Sequence, residues 1–190
     1  VLDKFKGGQF FCSIDGIGDE AEWVRYPLKW DAVTRGMRLV LNNLNSNWKV
    51  RTLTVSSIPN IYNIDRICDF LLKTSNECGS VENNTDNRLF LVHAPVSRPR
   101  FLSHDLLPYD MRLEIADKLE RFKGIEQMWG MAEEIIDHLQ TTDEELAVRE
   151  EKTLTEYKAF RTMQLEKFKA YYIYLDSVRN TNTLELFPHI

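Results

Sequence analysis

Phe10-Phe11-Cys12-Ser13-Ile14-Asp15-Gly16 is an apolar run that breaks on Ser-x-Asp-Gly, and its reading decides the fold. With Gly7-Gly8 before it and Gly16 and Gly18 after it, Gln9 to Asp15 has the signature of a short buried strand. Two further segments repeat that signature. Trp48 to Ser56 alternates Val50, Thr52 and Thr54 with Arg51, Leu53 and Val55, and closes on the polar pair Ser56-Ser57. Arg88 to Ala94 is nearly continuously apolar, as parallel strands covered on both faces are.

The intervening segments are helical. Apolar residues at 30, 33, 37, 40, 41 and 44 follow Pro27 at helical spacing, and Ile64, Ile67, Cys68, Leu71 and Leu72 follow a turn at Pro59-Asn60. One helix between each pair of strands gives β-α-β-α-β with right-handed crossovers, so all three strands point the same way. Their carboxyl ends then form one rim that carries Ser13, Asp15, Ser56, Ser57, His93 and Pro95. Such rims are where α/β sheets build ligand sites.

The rest of the chain predicts helices. The polar segment Asn76 to Asn87, with its Asn83-Asn84-Thr85 sequon, is expected as a surface loop. After Pro95, a loop with Arg98, Arg100, Ser103 and His104 leads into Leu106-Leu107-Pro108. Met111, Ile115, Leu119 and Phe122 define one helix, ended by Gly124, and Ile125, Met128, Trp129, Ala132, Ile135, Ile136 and Leu139 define another. Thr142 with Glu145 is a capping box that opens a long charged helix reaching Leu175 and Val178. Glu144 to Lys158 is its solvated face.

Composition bounds the function. A chain of 190 residues, 43% apolar and 28% charged, is long enough for one core with a helical appendage. A net charge of -5 leaves no basic footprint for nucleic acid. No apolar run approaches the ~20 residues of a membrane span. Val1-Leu2-Asp3-Lys4-Phe5-Lys6 has no initiator Met and resembles the end of a helix, so a fragment or a processed product is expected. Cys12, Cys68 and Cys78 form no CxxC; core placement of Cys12 in its strand and Cys68 on its apolar helix face is expected, with a reducing, cytoplasmic setting.

The candidate site residues each carry two readings. Ser13 and Asp15 either satisfy the backbone of the turn or present both side chains to a ligand. Arg25 either pairs with Glu22 or folds over the strand end to clamp a carboxylate. His93 and His104 stand alone in sequence, which favours structural roles. No nucleophile elbow, phosphate-cradling glycine loop or HExxH is present.

Phe11-Cys12-Ser13-Ile14-Asp15-Gly16, then Glu22-Trp23-Val24-Arg25-Tyr26-Pro27 and Lys29-Trp30, resembles the middle of radical S-adenosylmethionine enzymes of the twitch or SPASM type. The likeness continues through Thr54-Val55-Ser56 with Asn60, Leu106-Leu107-Pro108, Leu175-Asp176-Ser177-Val178-Arg179-Asn180 and Phe187-Pro188. The resemblance implies half of a partial (β/α)6 barrel over residues 1–108, its last three strands, with a carboxyl-terminal helical region over 109–190. It also implies S-adenosylmethionine bound on a 4Fe-4S cluster, radical chemistry in a full-length parent, and peptide modification as the reaction common among relatives with auxiliary clusters. Ser13 matches the position that meets the cofactor's ribose or amino acid part, and Arg25 the arginine that holds its polar end. Asp15 belongs to the same corner. Ser56 and Ser57 end the next strand, and His93 to Pro95 lie where adenine is placed. The CxxxCxxC loop and the glycine-rich segment that receives the amino group are absent from this sequence, so the resemblance implies a missing amino-terminal half as partner and no activity for this chain alone. The alternative is a self-contained α/β binding or scaffold module without redox chemistry.

Overall fold

The computed structural model describes residues 4–43, 47–79, 89–128 and 130–188. Three parallel strands, β1 (Gly8–Ser13), β2 (Trp48–Ser56) and β3 (Leu89–Pro95), form one sheet in the order β1-β2-β3. Helices α1 (Asp19–Val24) and α2 (Trp30–Asn43) lie between the first two strands; α3 (Ile58–Ile61) and α4 (Ile64–Gly79) lie between the second and third. After β3 come 3-10 turns at Arg100–Leu102 and His104–Leu106, then α5 (Tyr109–Leu119), α6 (Met131–Leu139), α7 (Asp143–Arg149), α8 (Leu154–Arg179) and α9 (Thr183–Leu186). The βαβαβ order expected from the alternation is the one observed.

The sheet has two unlike faces. Register sets Cys12 beside Thr52 and Leu91, and Thr54 beside His93, on one face. That face is buried, with Val50, Thr52, Thr54 and Ser56 all but inaccessible. Met37 and Leu41 of α2, Ile64, Ile67, Cys68 and Leu71 of α4, and Ile135, Ile136 and Leu139 of α6 belong to the same core. It extends without interruption to Leu106, Ile115, Phe168 and Phe187, so the helical region is packed into the core of the α/β unit. The second face carries Phe11 beside Arg51, Ser13 beside Leu53 and Val92, and Val55 beside Ala94. Phe11 is 68% exposed, and Leu53, Val55, Val92 and Ala94 are only half-buried. β1 pairs only with β2 among the described residues, which leaves its outer edge open.

Several expectations shift in detail. A short helix, α1, occupies Asp19–Val24 where no element is predicted, and the Pro59-Asn60 turn is a helical turn capped reciprocally by Ser57 and Asn60. α4 runs to Gly79, so only residues 80–87 of the expected loop remain, and they lie outside the described set, as do Arg88, the expected start of the third strand, and Trp129. The long charged helix is two helices. Thr142 and Glu145 cap α7, which stops after Arg149 in a Schellman motif: Glu151 takes positive φ, Lys152 N–H donates to Ala147 O at 2.9 Å and Glu151 N–H to Val148 O at 3.0 Å. A second capping box, Thr153 with Glu156, then opens α8.

Candidate functional site

At the carboxyl ends of β1 and β2, Asp15 is 5% exposed and fully engaged. Its Oδ1 accepts the Val55 N–H at 2.7 Å, and Arg25 Nε lies 2.6 Å from Oδ2, a close ion pair. Thr54 Oγ1 donates to Ile14 O at 2.7 Å. Asn60 closes the corner: its amide nitrogen donates to Asp15 O (3.0 Å) and Val55 O (2.8 Å), and its oxygen accepts Ser57 N–H (2.8 Å). A β-carbon at Gly16 would sit 2.9 Å from Ala21 N, so glycine permits α1 to approach the strand end and deliver Arg25 from its carboxyl terminus. Glu22 is taken instead by Lys29 Nζ (2.8 Å) and Trp30 N–H (3.0 Å). The pair with Glu22 is therefore not formed, and Arg25 lies over the strand end against the chain's own Asp15. The Arg25 side chain is one-third exposed.

The end of α8 completes this corner. Arg179 donates to Trp23 O at 2.8 Å, Trp23 stacks on Tyr172 with ring centres 4.8 Å apart, and Trp23 Nε1 donates to Thr181 Oγ1 at 3.2 Å. Asp176 accepts from Thr181 and Thr183, fixing the chain beyond the left-handed Asn180. A cleft of about 170 Å³ remains between Asp15, Val55 and Ser57 on the sheet side and Tyr171, Leu175 and Arg179 of α8.

The residues expected on one rim divide between two sites. Ser13 faces the open side of the sheet, next to Leu53; Asp15 and Ser57 line the cleft, and Arg25 reaches this corner through its ion pair with Asp15. Ser56 and His93 turn to the covered face, and Pro95 is exposed at the strand end, where Val96 N–H donates back to Ser56 O at 2.9 Å. Ser56 Oγ lies 2.6 Å from His93 Nε2 and 3.2 Å from His104 Nδ1. Burial, with the nearby His104 and His138, pushes His93 down to about 3, and burial likewise pushes His104 down to about 4, so both rings are neutral. His138 Nε2 donates to Asp105 Oδ1 at 2.8 Å while Arg100 holds Asp105 Oδ2 at 2.9 Å. Burial opposes the Asp105 charge, but His138, His104 and Arg100 outweigh it and hold the carboxyl well below its usual range. Asp105 and His138 have no sequence signal, since they lie on separate elements and meet only through packing. His104, expected in a polar loop, is fully buried.

Comparison with known proteins finds no matching family model, no similar curated protein and no similar solved structure. The chain's own cysteines do not fit an iron-sulfur cluster. Cys68 is buried in α4, its thiol pushed up to about 12 by burial, and Cys12 and Cys78 lie on β1 and near the end of α4. Among the described residues, the one group of three metal-type donors that converges is His104, Asp105 and His138.

Proposed function

We propose that this chain is the carboxyl-terminal half of a radical S-adenosylmethionine barrel and supplies one wall of the cofactor site to a cluster-bearing partner segment. The observation that carries this reading is the open β1 edge beside a half-exposed apolar sheet face, the surface a preceding parallel strand and its barrel interior would occupy. Ser13 lies on that face, and Ser57 and the Asp15–Arg25 pair stand at the strand ends beside it. Asp15 holds Arg25 through Nε and so orients the rest of the fork before any ligand arrives. Ser13 offers a hydroxyl from the open face, suited to a ribose or amino group. The cluster, held by cysteines outside this chain, would supply the electron for cofactor cleavage; peptide modification is the reaction class the resemblance suggests. Within the chain, the work is binding and orientation alone.

The fitting test is a titration of the isotope-labelled chain with S-adenosylmethionine, followed by NMR. Shifts confined to Ser13, Arg25, Ser57 and the α8 residues of the cleft are expected, and Arg25→Ala should weaken binding by about 10- to 100-fold, the loss of one charge-assisted contact. No shifts at millimolar ligand, or unchanged affinity in Arg25→Ala, would remove the reading. The closure of the cleft by the chain's own α8 favours the second reading, a self-contained binding module; it predicts a stable monomer that binds small anions at Arg25 with no preference for the adenosyl group.

A further inference from the structure

On the covered face of the sheet, away from the cleft, two buried imidazole nitrogens have no hydrogen-bond partner: His93 Nδ1 and His104 Nε2. Ser56 lies between the two rings and has one proton to give. His93 Nδ1 is 4.0 Å from the Glu134 carboxylate, which draws the His93 proton to that nitrogen. Nε2 of His93 then accepts from Ser56, and Ser56 accepts from His104 Nδ1–H. His104 Nε2 is left as a bare lone pair on a ring with no exposure, 3.9 Å from Asp105 Oδ1. Two electron-rich atoms facing each other across such a gap in a buried site are mutually repulsive unless a cation lies between them. His138 Nε2 lies 2.8 Å from the same carboxylate oxygen, and the three donor atoms all fall within 4.8 Å of one another.

We propose that His104 Nε2, Asp105 Oδ1 and His138 Nε2 bind one divalent ion of the zinc class. Two imidazoles and one carboxylate are a common donor set for Zn²⁺ with a fourth position left to water. Tetrahedral bonds near 2.0–2.1 Å put ligand atoms about 3.3 Å apart; the 2.8 Å and 3.9 Å separations from Asp105 each lie about half an ångström from that value, and the two imidazole nitrogens, within 4.8 Å of each other, close by rotation of the more exposed His138. The outer contacts are already built. Ser56 fixes the His104 tautomer, and Arg100 holds Asp105 by Oδ2, leaving Oδ1 to the metal. Arg100 is itself paired with Glu150 Oε1 at 2.5 Å, which offsets its charge near a cation. On binding, the ion replaces the proton on His138 Nε2, and the ring, partly open to solvent, takes up the Nδ1–H tautomer. Such an ion joins α6 to the His104–Leu106 turn that follows β3.

The test uses the whole chain, stripped with chelator and titrated with Co²⁺ and then Zn²⁺. Visible ligand-field bands of four-coordinate cobalt that saturate at one equivalent, and are bleached by Zn²⁺, are expected. His138→Gln, at the most exposed of the three positions, should reduce affinity at least tenfold while leaving the fold intact by circular dichroism. His138→Cys should add an intense near-ultraviolet sulfur-to-cobalt charge-transfer band, which arises only if position 138 ligates. Absence of saturable cobalt bands in the chain, or bands unchanged in His138→Gln together with no charge-transfer band in His138→Cys, would overturn the site.

Discussion

His93 offers the sharpest reading at the scale of one residue. Its folded pKa, about 3, lies below that of an unfolded histidine because burial penalises the imidazolium and the rings of His104 and His138 add to the penalty; Glu134, 4.0 Å from Nδ1, does not restore it. The unfolded chain therefore takes up a proton near pH 6.5 that the folded chain refuses. Stability is full above pH 6.5 and falls as the pH drops, by about 2 kcal/mol at pH 5 for this one group. Urea titrations in chelator across that range should show the slope, and His93→Gln should flatten it. Arg112 makes the opposite point about buried charge. With no exposure, it donates to the carbonyls of Leu107, Leu139 and Thr141 and pairs with Asp143. Arg112→Leu should cost about 3–5 kcal/mol in denaturant unfolding, since it strands three buried carbonyls and leaves Asp143 with Arg161 as its remaining arginine partner. Neither environment was legible in the sequence. Asp15 and Arg25 could be proposed because strand-end position and spacing along the chain place them together, whereas His104 and His138 meet only when α6 packs on the sheet, and no local pattern encodes that.

At the scale of elements, what can be read is what the backbone decides locally. The three strands and both crossover helices follow from apolar periodicity, and the capping box at Thr142 announces a helix start where one occurs. The division between α7 and α8 was hidden because its stop signal is Glu151, a residue with no bias toward positive φ, while a second capping box follows immediately. Two boxes so close together are redundant in one helix and necessary in two. Thr153→Ala should therefore lower stability by about 1 kcal/mol, the usual loss for an amino-terminal cap, and thermal or denaturant unfolding will measure it. Within a continuous helix the same change would be nearly neutral or favourable.

The sheet is asymmetric: helices cover one side and leave the other half-exposed beside the outer edge of β1, which is open among the described residues. Phe11, directly on that side, is the largest exposed apolar group of β1. An open edge with an apolar face promotes association, so the isolated chain is expected to self-associate with rising concentration, and Phe11→Lys should shift it toward monomer in sedimentation velocity without loss of thermal stability. The sequence points the other way, since the continuous apolar run of the third strand is typical of cover on both faces; which face the chain covers itself depends on crossover handedness and on the seating of the carboxyl-terminal helices.

Asn60 gives the strand-end corner a lifetime. One amide there donates to two carbonyls and accepts from one N–H, and the two donated bonds require that the group remain an amide. Hydrolysis to aspartate would turn the donor into a carboxylate oxygen facing Asp15 O and Val55 O. Burial shields the folded protein from that chemistry, but each excursion to the unfolded state exposes Asn60 to it. A chain so altered would meet an unmatched charge where its strands should lock, so storage and repeated heating would leave a growing fraction that can no longer return.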